Sequence, residues 1–273
     1  MGFQSKIVPE EILCVEDLTV RFGGFKAIDC LNFRMERGEL RVVIGPNGAG
    51  KTTLLDVITG KVRPSAGRVV FQARDRAARD IHSLPEQTIA RLGIGRKFQT
   101  PNVFKTSTVL DNLALSLHSP RGVWSNLASA FRHNGHHRIY EILHTIGLGA
   151  RAYHLAGSLA HGEKQWLELG MLMAQDPELL LVDEPVAGMT PKESQRTGEL
   201  LMSMARKHTL LVIDHDMTFV RQIARTVTVL HEGKTLCQGT VQEVQRDPKV
   251  IQVYLGQDRQ ADAAGKATAS SLR

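Results

Sequence analysis

Residues 45–53 read GPNGAGKTT, a stretch in which three glycines precede a lysine and two threonines. The spacing of Gly45, Gly50, Lys51 and Thr52 fits G-x-x-x-x-G-K-[ST]. Small residues let backbone N–H groups curl around an anion. A helix beginning at Lys51 adds the partial positive charge of its N-terminus. Lys51 can supply a full charge to the β- and γ-phosphates of a nucleoside triphosphate, and Thr52 a hydroxyl to Mg²⁺. Pro46, Asn47, Gly48, Ala49 and Thr53 complete the cradle. The bland alternative is a glycine-rich turn that holds nothing.

A second group of chemical interest ends an apolar run. In LLLVDEP, Asp183 and Glu184 cap four aliphatic residues. An acid at the end of such a strand can complete the shell of a Mg²⁺ held by the cradle, and Asp183 suits that place. Glu184, one position on, is aimed differently by the alternation along a strand and can orient or deprotonate a water. The competing reading is a surface turn without catalysis.

Elements of definite kinds must position these groups. ILCVEDLTVRF alternates apolar and polar residues as a strand does, LNFRMERGE ends in a turn at Arg37-Gly38-Glu39, and LRVVIG suits a strand buried on both faces. A helix is expected from about Lys51 to Ile58, then a turn into the strand RVVF. From about Gln99 to Gln175 the pattern becomes helical, with TVLDNLALSLH and RIYEILHTIGL at helix spacing. Between them SPRGVWSNLASAFRHNGHHR reads as a linker or distorted helix. Its His133, His136 and His137 have a spacing that could ligate a metal, but no Cys or acid joins them. ELLLVDEP and TLLVIDHD restore the strand signal, ARTVTVLHEGKTLCQG reads as a hairpin turning at Glu232-Gly233, and VIQVYLG closes the ordered part. The tail, 257–273, is expected to be disordered. The fold class expected is α/β: a parallel sheet behind the cradle, an N-terminal antiparallel β part and a helical insertion.

The 273 residues carry 42% hydrophobic and 5% aromatic residues, enough for one large domain or two closely packed ones with an aliphatic core. A net charge of +6 is compatible with nucleic acid, anionic headgroups or phosphorylated ligands. Three cysteines without a metal or redox spacing fit a reducing compartment. The N-terminus has no apolar signal region and no myristoylation pattern, and no apolar run is long enough to span a membrane. Any work at a membrane therefore needs another chain to hold this one there.

The cradle, the pentapeptide LAHGE well downstream and LLLVDEP after it form a constellation that resembles the ATP-binding cassette (ABC) ATPases, from about Ile12 to Gly256. The resemblance implies a core of 10–98 and 177–256 with a helical signature subdomain of 99–176. It also implies ATP and Mg²⁺ as ligands and head-to-tail pairing of two cassettes. Leu159, Ala160, His161, Gly162 and Glu163 stand where the family has L-S-G-G-Q, which faces the γ-phosphate held by the other cassette. Ala160 lacks the serine hydroxyl and is expected to lose a phosphate contact. His161 is bulkier than glycine and could donate to ribose or phosphate, and the charge of Glu163 must be screened or turned away. Phe22 matches the aromatic that stacks on adenine, with Phe25 the lesser candidate. Gln99 matches the glutamine touching Mg²⁺ and the attacking water, and His215 the histidine contacting the γ-phosphate. Asp214 departs from a commoner glutamate, and VAGMT, 186–190, from the usual D-loop letters.

A single cassette without a fused membrane domain resembles the ATPase subunit of an importer. RFGGFKAI, VDEPVAGM and VIQVYLG resemble the branched-chain amino acid importer group. LLDVITGKVRP, LAHGEKQWLELGML, DEPVAGMT and TVLHEGKTL look most like its urea-transporting branch, which implies uptake of urea or a related short amide, with branched-chain amino acid uptake as the alternative. This implies a cytoplasmic, peripheral position with a second ATPase chain, two membrane permeases contacted through TPNVFKTSTVLDNL, and indirectly an external substrate-binding protein. A soluble ABC ATPase acting on nucleic acid or ribosomes is the other class, and no nucleic acid is expected here.

Overall fold

The computed structural model describes residues 10–97, 102–117 and 133–253. Strands β1 (Glu11–Phe22), β2 (Phe25–Glu36), β4 (Ala66–Phe71) and β5 (Arg79–Asp80) form an antiparallel sheet in the order β2-β1-β4-β5. The second sheet has the order β10-β9-β3-β8-β7-β6. It consists of β3 (Leu40–Ile44), β6 (Ile94–Lys97), β7 (Leu179–Asp183), β8 (Thr209–Ile213), β9 (Thr226–His231) and β10 (Lys234–Gly239). From β9 to β6 all pairs are parallel, and β10 adds an antiparallel edge. This is the α/β class read from the sequence.

The described residues include helices α1 (Lys51–Ile58), α2 (Glu86–Arg91), α3 (Val109–Ser116), α4 (His133–Ile146), α5 (His161–Gln175), α6 (Pro191–Met204), α7 (Met217–Ile223) and α8 (Val241–Arg246). They explain the continuous apolar runs: every residue of β3, β7 and β8 is buried because both faces of the sheet are covered. Val42, Leu180, Val182, Leu210 and Val212 join one core with residues of α3 to α7. Val43, Leu181, Leu211 and Ile213 join another with α1 and the antiparallel sheet.

The structure decides one open reading and fills one gap. Helix α4 already begins at His133, so the end of the stretch read as a linker or distorted helix is helical. Packing of Ile139, Ile142, Leu143 and Ile146 into the core drives that helix, and its first polar turn follows at little cost, with His136 and His137 exposed. The segment between β4 and β6, for which the sequence carried no assignment, holds β5 and α2. Residues 257–273, the expected disordered tail, lie outside the described residues, as does most of the linker.

Helix α5 is fixed against α6 by Trp166, whose indole N–H donates to Thr197 at 2.9 Å and whose ring lies 4.2 Å beneath the Arg196 guanidinium. A cation over an indole adds about 0.5–1 kcal/mol to the burial. Among the described residues no helix is long and apolar enough to cross a membrane.

Candidate active site

The cradle leaves the centre of the parallel sheet, where β3 is flanked by β8 and β9. Backbone approach dictates its glycines. A Cβ on Gly45 would lie 2.2 Å from the carbonyl oxygen of Leu230 on β9, and one on Gly50 2.5 Å from that of Ala27 on β2. Both residues also have positive φ, 151° and 97°. Gly50 is the N-cap of α1 and supplies no side-chain oxygen, and the first turn has no acid, so the leading N–H groups are open to an anion. The ammonium of Lys51 donates to the carbonyls of Gly45 at 2.7 Å and Pro46 at 2.9 Å, which holds its charge in the mouth of the loop. Burial lowers the Lys51 pKa, and the charges of Glu184 and Asp183 oppose that shift. Thr52 is exposed beside it.

The acid pair stands two strands away, at the end of β7. Asp183 is 2% exposed. Its Oδ2 lies 3.4 Å from the Arg96 guanidinium, and its buried Oδ1 has no hydrogen-bond partner. Burial raises its pKa, and Arg96 works against the rise. An orphaned carboxylate oxygen next to the cradle is the kind of donor a hard cation takes, so the residues fit Mg²⁺. The divergence of the two acids has a different origin from the one expected. Strand β7 stops at Asp183, and Glu184 takes a left-handed φ of 44° while its N–H donates to Ile213 at 2.9 Å. A turn, not strand alternation, points its carboxylate outward, at about 1–3 kcal/mol of backbone strain. There it lies 3.6 Å from Nδ1 of His215, which follows β8 and is largely exposed. Asp214 is buried, accepts the N–H groups of His215 and Asp216, and so shapes the turn that presents the histidine; burial raises its pKa.

Arg96 and Lys97 were not read from the sequence as site residues. Arg96 sits on β6 with one nitrogen 2.6 Å from Asp56 of α1 and another on Asp183. It joins the cradle helix to the acid strand. Two adjacent cations at the end of the short strand Ile94–Lys97 were the available signal, since alternation must send one to each covered face.

Helix α5 differs from its neighbours at its first turn. Helices α3, α6 and α8 open with Thr108/Asp111, Thr190/Glu193 and Thr240/Glu243 boxes that satisfy their leading amides. At α5 the N-cap is Ala160, which offers no oxygen, so only half a box forms: Glu163 accepts the Ala160 N–H at 3.0 Å. The same carboxylate lies 3.8 Å from Arg151. The charge of Glu163 is thus turned back and paired. His161 is exposed, with Nε2 3.2 Å from Gln165. Leu159 is buried. Gly162 has a packing reason, because a Cβ there would lie 2.5 Å from Oε1 of Glu193 on α6.

Phe22 and Phe25 face each other across the β1–β2 turn, both more than half exposed, and β2 continues to Ala27 against the cradle. Gln99 lies outside the described residues.

Ligands of open parallel sheets bind beyond the carboxyl ends of the strands. Here β3, β7 and β8 deliver the glycine-lined cradle, an acid pair and a histidine to that edge. A family model described as ABC transporter matches residues 28–187, more than half of the chain. The chain belongs to the ABC transporter family. A second model, described as branched-chain amino acid ATP-binding cassette transporter, matches residues 234–259 of this ABC ATPase. It is 36% identical over 257 residues to the high-affinity branched-chain amino acid transport ATP-binding protein LivG of Escherichia coli K12, covering 91% of this chain and 99% of that protein. It is 35% identical over 257 residues to BraF of Pseudomonas aeruginosa, covering 90% and 98%. A crystal structure of the ADP conformation of MJ1267, an ATP-binding cassette of an ABC transporter, matches with a TM-score of 0.77 at 30% identity over 90% of this chain and 99% of that one. The chain is an ATP-hydrolysing ABC importer subunit of the LivG and BraF type. Those relatives are named for the alternative cargo of the sequence reading, not for urea.

Proposed function

We propose that this ATPase powers uptake of branched-chain amino acids as one of two cassettes held peripherally on the cytoplasmic face of a membrane complex. Its partners are a second ATPase chain, two permease subunits and, indirectly, an external substrate-binding protein. The observation that carries the two-cassette reading is the pair of open helix N-termini. That of α1 belongs to the cradle, in contact with β2 and β9. That of α5 sits apart, against Glu193 of α6 and close to Gly188. One cradles a phosphate, and the other is free to meet the phosphate of a partner.

In this reading Phe22 stacks on adenine, the amides of 45–53 and Lys51 hold the phosphates, and Leu159, Ala160, His161, Gly162 and Glu163 face the partner's γ-phosphate. Thr52, Asp183 and Gln99 would hold Mg²⁺, which when bound neutralises phosphate charge. Glu184 orients the attacking water and takes its proton. His215 holds the Glu184 carboxylate and contacts the γ-phosphate, and loss of that phosphate lets the cassettes part. The insertion 99–176 carries the motion to the permeases.

Urea is the second reading, favoured by the segments LLDVITGKVRP, LAHGEKQWLELGML and TVLHEGKTL. Uptake of labelled leucine and labelled urea by cells with and without this chain separates the two. Loss of leucine uptake alone supports the first reading, and loss of urea uptake alone overturns it.

A further inference from the structure

Ala160 leaves the first turn of α5 without a hydroxyl, but the next residue carries a donor of its own. His161 opens the helix, and Gln165 stands one turn on, on the same face. Nε2 of His161 lies 3.2 Å from Nε2 of Gln165. An amide nitrogen has hydrogens to give and no lone pair to offer, so Gln165 donates and the imidazole nitrogen accepts. The proton of the neutral ring then sits on Nδ1. Among the described residues no acceptor takes that Nδ1–H.

The nearby carboxylates are engaged elsewhere. Glu193, close enough to feel the charge of His161, accepts the Thr190 N–H at 2.9 Å and its hydroxyl at 2.7 Å. Glu163 accepts the Ala160 N–H and faces Arg151. Nδ1 is the ring nitrogen nearer the backbone, so on this exposed residue its N–H stays beside the leading amides of the helix. Gln165 itself is 0% exposed, and its Oε1 is buried without a partner. Burying an amide with an unfilled oxygen is costly, and a methionine of similar size would pack there without that penalty. The half of the amide that is used serves His161 alone.

We propose that Gln165 is a positioning residue that holds His161 in its Nδ1–H tautomer, so that the ring donates to the partner's γ-phosphate in place of the hydroxyl that Ala160 lacks. This deepens the two-cassette reading above and rests on it.

The test begins with nuclear magnetic resonance on the full chain with ¹⁵N-labelled histidines, without nucleotide, the His161 signals being assigned by their loss in His161→Ala. At mildly alkaline pH, where an imidazole is neutral, His161 is expected to be protonated at Nδ1 and bare at Nε2. In Gln165→Met, which keeps the volume but offers no N–H, the ring is expected to become a mixture of tautomers. ATP-driven self-association in the Glu184→Gln background, read by sedimentation, is expected to weaken at least about tenfold in His161→Ala and about threefold in Gln165→Met. A hydrogen bond to a charged acceptor is lost outright in the first and part of the time in the second. Calorimetric ADP affinity is expected to stay at the parent value in both, because the α1 cradle is untouched. An Nε2–H tautomer in the native chain, or association of His161→Ala equal to the parent, overturns the proposal, and neither result depends on Gln165→Met folding. An Nδ1–H tautomer that persists in folded Gln165→Met overturns it as well. If the Glu184→Gln parent itself stays monomeric with ATP, the two-cassette reading fails and the inference falls with it, an outcome distinct from a wrong tautomer, which is read without nucleotide.

Discussion

Replacing Arg96 with methionine removes the cation between two carboxylates while keeping an unbranched apolar stem. At an effective dielectric of 20, attractions at 2.6 Å to Asp56 and 3.4 Å to Asp183 amount to about 6 and about 5 kcal/mol before desolvation. Desolvating the guanidinium offsets much of that, and Asp56 keeps Lys61 at 3.6 Å. What remains is the usual cost of breaking a buried pair, about 3–5 kcal/mol. For a chain of this size that lowers the melting midpoint by roughly 6–20 °C. The pH dependence has a definite sign. Burial already raises the Asp183 pKa above 3.8, and loss of Arg96 raises it further. Between the ordinary carboxylate range and that raised value the folded chain holds a proton the unfolded chain has released. Stability therefore falls as pH rises through the window. The deficit is smallest near the acid end and complete above the raised pKa. Calorimetric melts of both proteins across mildly acidic to neutral pH measure this. A variant that melts with the native protein at neutral pH, or a deficit that does not change with pH, refutes the reasoning.

Lys51→Ala removes the charge from the mouth of the cradle, and titration calorimetry should show no ATP binding; unchanged affinity would count against the cradle. Ala160→Ser restores a cap oxygen to α5 and should stabilise the fold by about 0.5–2 kcal/mol, seen as a higher melting temperature. Phe22→Ala should weaken ATP binding about tenfold, while Phe25→Ala leaves it near native, as a stacked base is worth about 1–3 kcal/mol; equal effects would remove the distinction. Cys14, buried and with its pKa raised to about 11, should resist a thiol reagent that modifies exposed Cys30 in the folded protein.

What the sequence disclosed depended on how local the cause was. The cradle was legible because its residue types and spacing sit within a few positions of one another, although the close approach of Leu230 and Ala27 that also demands Gly45 and Gly50 shows only in the fold. The apolar runs LRVVI, LLLVD and TLLVI were legible because a strand covered on both faces has no polar alternation. Arg96 and Lys97 were missed because their burial depends on Asp56 and Glu168, which reach them only through the fold. The outward turn of Glu184 escaped for a related reason, since a left-handed φ at a glutamate is imposed by β8 and leaves no mark in residue type. For His133 to Arg138 the sequence left linker and distorted helix both open because propensity is weak there, and tertiary packing of the residues after it decided the matter.

The central claim is that one nucleotide is held by two cassettes, the α1 cradle of one and the α5 first turn of the other. Glu184→Gln, which keeps the cradle but removes the carboxylate proposed as the base, isolates it. Light scattering of this variant should show the monomer mass without nucleotide and twice that mass with ATP, with no hydrolysis. A monomer mass in saturating ATP, unchanged when the permease subunits are present, would contradict the account.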